Sequence, residues 1–161
     1  MVEEKITVIK SYSEDETVSW GKILGGLLKA GDIVGLIGGL GAGKTYFVKG
    51  VSDGLGIPED QYVASPTFTL INEYPGRLNL VHLDVYRLSG SPDLLDLGYE
   101  EYFFGKNVTV IEWAEKIQDV LPDKSLFITL TYLDHTLRRI EISGEESQVI
   151  GITSALKNGG F

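Results

Sequence analysis

The chain has 161 residues, of which 43% are hydrophobic and 23% are charged, a composition typical of a globular domain. It has no cysteine, which excludes a disulfide framework and a thiolate metal site. The formal net charge is −9, from 14 basic and 23 acidic side chains. A protein that grips a nucleic-acid backbone needs a clustered basic face, and the only adjacent arginines are Arg138 and Arg139. We therefore expect a partner to hold any nucleic acid that this protein serves.

The length and hydropathy predict one domain, residues 1–161, located in the cytoplasm. No stretch approaches the roughly 18 consecutive apolar residues of a membrane-spanning helix. The first residues lack the basic start and apolar centre of a secretory signal peptide.

The first third of the chain alternates predicted strands and helices. A strand at residues 5–10 precedes a helix that the capping pair Ser13 and Glu16 opens and that runs to about residue 29. The apolar run at residues 33–37 predicts a buried strand, and a second helix begins near residue 46 and stops around residues 54–56.

Residues 38–45 lie between that strand and that helix and match the phosphate-binding pattern G-x-x-x-x-G-K-T in full. Glycines let backbone N–H groups turn towards a triphosphate, and the following helix directs its positive N-terminus at the same anion. We expect Lys44 to reach the β- and γ-phosphates and the Thr45 hydroxyl to ligate Mg²⁺. The predicted nucleotide contacts of this loop are Leu40, Gly41, Ala42, Gly43, Lys44, Thr45 and Tyr46.

Further along the chain, strands predominate. Residues 65–74 read as a loop that feeds a strand, and residues 78–84 form a second strand that can pair with it as a hairpin. Residues 93–104 are predicted to be helical in part, residues 108–112 form a buried strand, and residues 126–133 and 137–143 form a late hairpin. The predicted fold is α/β, a three-layer domain of the P-loop NTPase type with a mixed, mainly parallel central sheet.

Two carboxylates end predicted strands, Asp84 and Glu112. A P-loop requires such an acid to hold Mg²⁺ or its water ligands, and the other acid could orient the attacking water. The order of residues does not rank the two, so either is a candidate metal ligand and catalytic acid together with Lys44.

Three further features have two interpretations each. Ser65, Thr67 and Thr69 lie between the P-loop and the first acid and are either a nucleotide-sensing switch or a Ser-Pro turn. His82 shares a strand face with Asp84, which suggests an active-site edge or a hydrogen-bonded core histidine. Trp113 lies either beside the nucleotide or in the core.

Four blocks together resemble the TsaE family, formerly YjeE. They are residues 38–45 (GGLGAGKT), 65–74 (SPTFTLINEY), 82–88 (HLDVYRL) and 110–116 (VIEWAEK). The first block is generic, whereas the other three are specific in this order and spacing. This family is the bacterial ATPase subunit of the machinery that makes threonylcarbamoyladenosine beside the tRNA anticodon.

The resemblance implies ATP and Mg²⁺ as cofactors. It implies that Lys44 and Thr45 serve phosphate and metal, that Glu112 is a metal-site acid and that Asp84 is a second acid needed for hydrolysis. Residues 65–69 would form a switch-like loop. Trp113 and Thr17 would border the nucleotide, Thr17 on the adenine side.

The resemblance also implies partners. These are TsaD and TsaB, which carry out the transfer, so that this chain meets tRNA only through the complex and acts as a motor or reset subunit. Two positions depart from the family pattern: Gly39 is usually Asp, and Tyr46 is often a second Thr. Because tyrosine cannot supply the same short hydroxyl, contacts to the α-phosphate would depend on backbone N–H groups.

Three functions remain as hypotheses: a partner-coupled ATPase, a small-molecule P-loop kinase and a non-catalytic nucleotide-dependent scaffold. Kinases of that class use an arginine-rich lid, which the four arginines of this chain do not resemble. No arginine is an obvious finger in cis, so we expect slow hydrolysis by the chain alone.

Overall fold

A computed structural model of the chain describes residues 4–39, 41–58 and 71–158. Within these ranges a seven-stranded sheet is covered by helices. The strands are β1 (Glu4–Ser11), β2 (Ile33–Ile37), β3 (Ile71–Tyr74), β4 (Leu80–Asp84), β5 (Val108–Glu112), β6 (Leu126–Tyr132) and β7 (Arg138–Glu145). The α-helices are α1 (Glu14–Leu27), α2 (Lys44–Gly54), α3 (Glu100–Phe103) and α4 (Glu146–Asn158), and 3₁₀ helices cover Ser91–Leu97, Ala114–Lys116 and Gln118–Val120.

The strand order β1-β7-β6-β2-β5-β4-β3 places the parallel strands at the centre. Strands β6, β2, β5 and β4 are parallel, whereas β7, β1 and β3 extend the two sides with antiparallel pairing. The predicted α/β fold with a mixed sheet is confirmed, with its parallel part in these four strands. The carboxyl ends of β2, β5 and β4 therefore meet at one edge, where open α/β sheets bind ligands.

The sheet separates two apolar clusters, which makes the three layers. Alternation along β4 directs Leu80 into the cluster under α1, α2 and α4, and Val81 into the cluster under α3 and the 3₁₀ helices. Strand β5 does the same with Val110 and Ile111. His82, Asp84 and Glu112 follow the same alternation, so all three lie on the face of the P-loop helix α2.

Helices α1 and α2 touch backbone to backbone through glycines spaced four residues apart. A Cβ on Gly50 would lie 2.0 Å from the Val18 carbonyl oxygen, and one on Gly25 would lie 2.3 Å from the Val51 carbonyl oxygen. Any larger residue would separate the helices. Gly21 and Gly54 complete the set, with equally short contacts. This packing fixes α2, and with it the P-loop, against α1.

The structure changes several predicted boundaries. Helix α1 ends at Leu27, two residues before the predicted end, and β4 begins at Leu80 rather than at residue 78. The predicted hairpin of β3 and β4 is confirmed, with Ile71 opposite Leu83. Residues 93–104 are helical in part, as predicted.

Helix α4 was not predicted from the sequence. Its buried residues Val149, Ile152 and Leu156 have helical spacing, but Gly, Ser and Thr residues dilute the pattern. The helix forms because this stripe packs against β1, β7 and α1. None of the helices in the described ranges has the length and hydropathy needed to cross a bilayer.

Candidate functional site

The P-loop lies at the carboxyl end of β2, directly before α2. Gly41 and Gly43 have φ angles of 77° and 100°, a left-handed conformation that side chains other than glycine rarely adopt. Helix α2 begins at Lys44, so its positive end lies at the loop. Leu40, one of the predicted nucleotide contacts, lies outside the described residues.

A cavity of about 460 Å³ opens in front of the loop. Its lining brings together most of the residues predicted from the sequence. Those residues are Gly41, Ala42, Gly43, Lys44, Thr45, Tyr46, Asp84, Glu112 and Trp113. It also includes Gly39 of the same loop, and Glu14, Tyr86 and Arg138, which were not predicted to be site residues.

The Lys44 side chain crosses the loop and is nearly buried. Its Nζ donates a 2.7 Å hydrogen bond to the Gly38 carbonyl oxygen and lies 3.5 Å from the centroid of the Trp113 ring. Burial lowers the pKa of Lys44, and the negative charge of Glu112 and nearby carboxylates opposes that shift. An anion in the cavity would restore the electrostatic support that the ammonium lacks.

Trp113 has an unusual backbone. It is the only non-glycine residue of the described ranges with a positive φ, 63°, a strained conformation for a bulky side chain. This turn directly after β5 brings the half-buried ring to the cavity wall, against Lys44 and 4.9 Å from the Tyr86 ring centroid. Trp113 therefore lines the cavity as well as the core, and its contact with nucleotide stays a prediction.

The two candidate acids are direct neighbours. Asp84 and Glu112 are register partners on the parallel strands β4 and β5. The Asp84 Oδ1 accepts a 2.9 Å hydrogen bond from the backbone N–H of Tyr86. Burial raises the pKa of Asp84, a shift that this hydrogen bond opposes and the charge of Glu112 reinforces.

Glu112 is held by a histidine. Its Oε2 lies 2.7 Å from the His82 Nε2, and the two residues are only 2% and 1% exposed. His82 is therefore a hydrogen-bonded core histidine, as one of the two interpretations expected, and its partner is one of the two predicted acids.

The donor set suits Mg²⁺ bound together with a phosphate. Among the described residues, no group of three His, Asp or Glu side chains forms a cage for a metal ion. Mg²⁺ commonly uses one or two carboxylates, water and substrate phosphates instead. The Thr45 hydroxyl and the carboxylates of Glu112 and Asp84 are hard oxygen donors that line one cavity. The residues present fit the metal that the loop implies.

Arg138 is the main residue that sequence reasoning missed. A Cβ on Gly43 would lie 3.8 Å from its Nε, and its Nη1 donates hydrogen bonds to the carbonyl oxygens of Asp134 and Leu137 at 2.5 and 3.2 Å. Arg139, the next residue of β7, points to the opposite face and is exposed. The single basic pair of the sequence is thus divided between two faces.

Helix α1 contributes Glu14 to the lining of the cavity. Tyr46, exposed at the start of α2, interacts with Glu14, and this hydrogen bond raises the pKa of the phenol. Thr17 does not line the main cavity but borders a small recess beside Gly43 and Tyr46. Its hydroxyl lies 2.6 Å from the Ser11 Oγ. The predicted switch residues Ser65, Thr67 and Thr69 lie outside the described residues.

Comparison with known proteins identifies relatives over most of the chain. A family model described as threonylcarbamoyl adenosine biosynthesis protein TsaE matches residues 11–140. A Treponema pallidum protein named tRNA threonylcarbamoyladenosine biosynthesis protein TsaE is 46% identical over 133 residues, which are 83% of this chain and 97% of that protein. A Bacillus subtilis protein of the same name is 44% identical over 122 residues, 75% of each chain. The crystal structure of Bacillus subtilis YdiB superposes with a TM-score of 0.81 at 33% identity and covers 100% of both chains.

Proposed function

The chain belongs to the TsaE family of threonylcarbamoyl adenosine biosynthesis proteins, and on that premise we propose that it is a Mg²⁺-dependent ATPase of tRNA modification. One observation carries the proposal: the P-loop lysine and two buried carboxylates line the same cavity. A triphosphate site needs a cation for the phosphates and oxygen ligands for a metal, and this cavity offers both.

Binding would use groups whose positions are already fixed. The P-loop amides and the start of α2 would hold the phosphates, and the Lys44 ammonium would exchange its contact with the Gly38 carbonyl for the γ-phosphate. Thr45 and Glu112 would hold Mg²⁺, which supplies charge neutralisation on the β- and γ-phosphates.

Hydrolysis requires a water molecule in line with the bond that breaks. Asp84 is the candidate that orients this water, because burial raises the pKa of its carboxyl and makes it a better proton acceptor than an exposed aspartate. Lys44 would stabilise the charge that develops on the leaving phosphate oxygens.

We further propose that turnover is coupled to TsaD- and TsaB-like partners in the cytoplasm, with the chain as motor or reset subunit and tRNA held by the complex. The net charge of −9 supports a protein rather than a nucleic acid as direct partner. Arg138 is the single arginine that lines the cavity, and its Nη1 is bonded to carbonyl oxygens of the β6–β7 turn. A group from a partner would therefore complete the site.

The test is reconstituted tRNA modification with purified TsaD and TsaB. The wild-type chain should support repeated rounds of threonylcarbamoyl transfer, and Lys44→Ala should not. A chain that stimulates modification equally well as Asp84→Ala or Glu112→Ala would act as a scaffold and would contradict coupling to hydrolysis. Phosphate found on an acceptor molecule rather than in solution would indicate a kinase.

A further inference from the structure

His82 has no role in the ATPase chemistry proposed above, yet it contacts Glu112, which is a proposed metal ligand. It lies on β4 opposite Val110, and two residues later Asp84 lies opposite Glu112. His82, Asp84 and Glu112 share one sheet face because side chains alternate along a strand. His82 thus reaches diagonally across the strand pair to the Glu112 Oε2 at 2.7 Å.

This hydrogen bond acts on an unfavourable pair. Like charges directly opposite each other on neighbouring strands repel, and Asp84 and Glu112 occupy such positions. Because a carboxylate oxygen can only accept, the His82 Nε2 donates this hydrogen bond. The hydrogen bond offsets part of the negative charge of Glu112 and holds its carboxylate beside His82. Asp84 accepts a separate hydrogen bond from the backbone N–H of Tyr86. The two acids therefore have different hydrogen-bond partners.

Packing alone does not explain a histidine at this position. The ring is 1% exposed, and its Nδ1 has no hydrogen-bond partner among the described residues. A buried polar atom without a partner costs free energy that an apolar side chain of similar size would avoid. The contact that His82 makes in return is with Glu112.

We propose that His82 is a positioning residue that holds the Glu112 carboxylate in the orientation used for the metal. The inference rests on the proposed function and deepens it, because it distinguishes the acid that binds metal from the acid that orients water. Partners behind a metal ligand fix its orientation, and their loss typically lowers metal affinity by about 10- to 100-fold.

The test compares two amide side chains, Gln and Asn, at position 82. The Nε2 of His82→Gln can occupy the place of the histidine Nε2, whereas His82→Asn is too short to reach Glu112. Fluorescent mant-ATP is titrated with and without Mg²⁺, and Mn²⁺ binding to the protein–nucleotide complex is measured by electron paramagnetic resonance. His82→Asn and His82→Leu should weaken Mn²⁺ binding about 10- to 100-fold, with metal-free mant-ATP affinity within about twofold of wild type. His82→Gln should restore most of the metal affinity.

A control removes a hydrogen bond on the neighbouring strand β5. Thr109 of β5 donates to the Tyr102 carbonyl oxygen at 3.0 Å and points away from the P-loop face, so Thr109→Val should lose stability but keep metal affinity. If His82→Leu does not fold, the Asn and Gln variants decide the question alone. Equal Mn²⁺ affinity in these two variants, high or low, would overturn the inference. Wild-type protein that binds mant-ATP no better with Mg²⁺ than without would overturn the proposed function as well.

Discussion

The ammonium of Lys44 lies 3.5 Å from the centroid of the Trp113 ring. The backbone of Trp113 has a φ of 63°. The strained turn after β5 therefore places an aromatic face under the P-loop lysine. Such a contact keeps the lysine extended across the cavity mouth when no phosphate is present.

Removal of this ring should weaken nucleotide binding. Trp113→Ala is expected to lower ATP affinity about fivefold, since a cation–π contact of this kind contributes about 1 kcal/mol. Trp113→Phe keeps an aromatic face and should recover most of the loss. Isothermal titration with a non-hydrolysable ATP analogue measures both, and equal affinity of all three proteins would show that the ring does not support Lys44.

The ionised Asp84 side chain is expected to lower the stability of the folded protein at neutral pH. Because its pKa is raised in the folded state, the protonated form is favoured by folding, and stability is lost as pH rises through that pKa. Asp84→Asn should therefore be more stable than wild type at pH 7, by about 1 kcal/mol or a few degrees in midpoint. The gain should shrink as pH falls towards 3.8, the ordinary value. Thermal unfolding at pH 7 and pH 4 measures this, and a less stable variant at pH 7 would contradict the assignment of a desolvated carboxylate.

The same substitution should lower turnover. If Asp84 orients the attacking water, Asp84→Asn is expected to reduce phosphate release by about 100-fold or more, while ATP affinity changes little. Phosphate release and analogue binding are measured on one preparation. A parallel loss of affinity would instead place Asp84 among the groups that bind nucleotide.

The glycines between α1 and α2 should tolerate no side chain. Gly50→Ala would place a Cβ 2.0 Å from the Val18 carbonyl oxygen, so we expect a loss of several kcal/mol or no folded protein. Gly26→Ala is the matched control, because no atom lies within 4 Å of its Cβ position, and it should raise stability by up to about 1 kcal/mol. Denaturant unfolding ranks the variants, and similar midpoints would mean that the helices are farther apart than described.

Arg138 and Arg139 provide a matched pair of substitutions, because Arg138 lines the cavity in front of the P-loop and Arg139 does not. Arg138→Ala removes a cation from the cavity lining and should weaken ATP binding about tenfold, more at low than at high salt. Arg139→Ala removes the same charge from the opposite face of β7 and should leave affinity within about twofold. Analogue titration at two salt concentrations measures both, and equal effects of the two substitutions would mean that only net charge matters.

Local patterns predicted those parts of the site that lie close together in sequence. The P-loop spacing located Lys44 and Thr45, and strand ends located Asp84 and Glu112, because each feature is complete within a few residues. The hairpin of β3 and β4 was predicted for the same reason.

The contacts between distant segments were not predictable in that way. Arg138 reaches the cavity from β7, which lies two strands away from β2 in the sheet. The diagonal contact from His82 to Glu112 depends on β4 lying beside β5. The order of the strands in the sheet cannot be predicted from the sequence of any single segment. The positive φ of Trp113 was likewise not predicted, because none of the neighbouring residues is a Gly or Asn that would indicate a left-handed turn.

Phosphate release by the purified chain tests the central claim most directly. Wild-type protein with ATP and Mg²⁺ should release phosphate slowly and catalytically, EDTA should stop it, and Lys44→Ala should lower it at least about 100-fold without unfolding. Release that Lys44→Ala or EDTA leaves unchanged would contradict the assignment of the P-loop cavity as a Mg²⁺-dependent ATPase site.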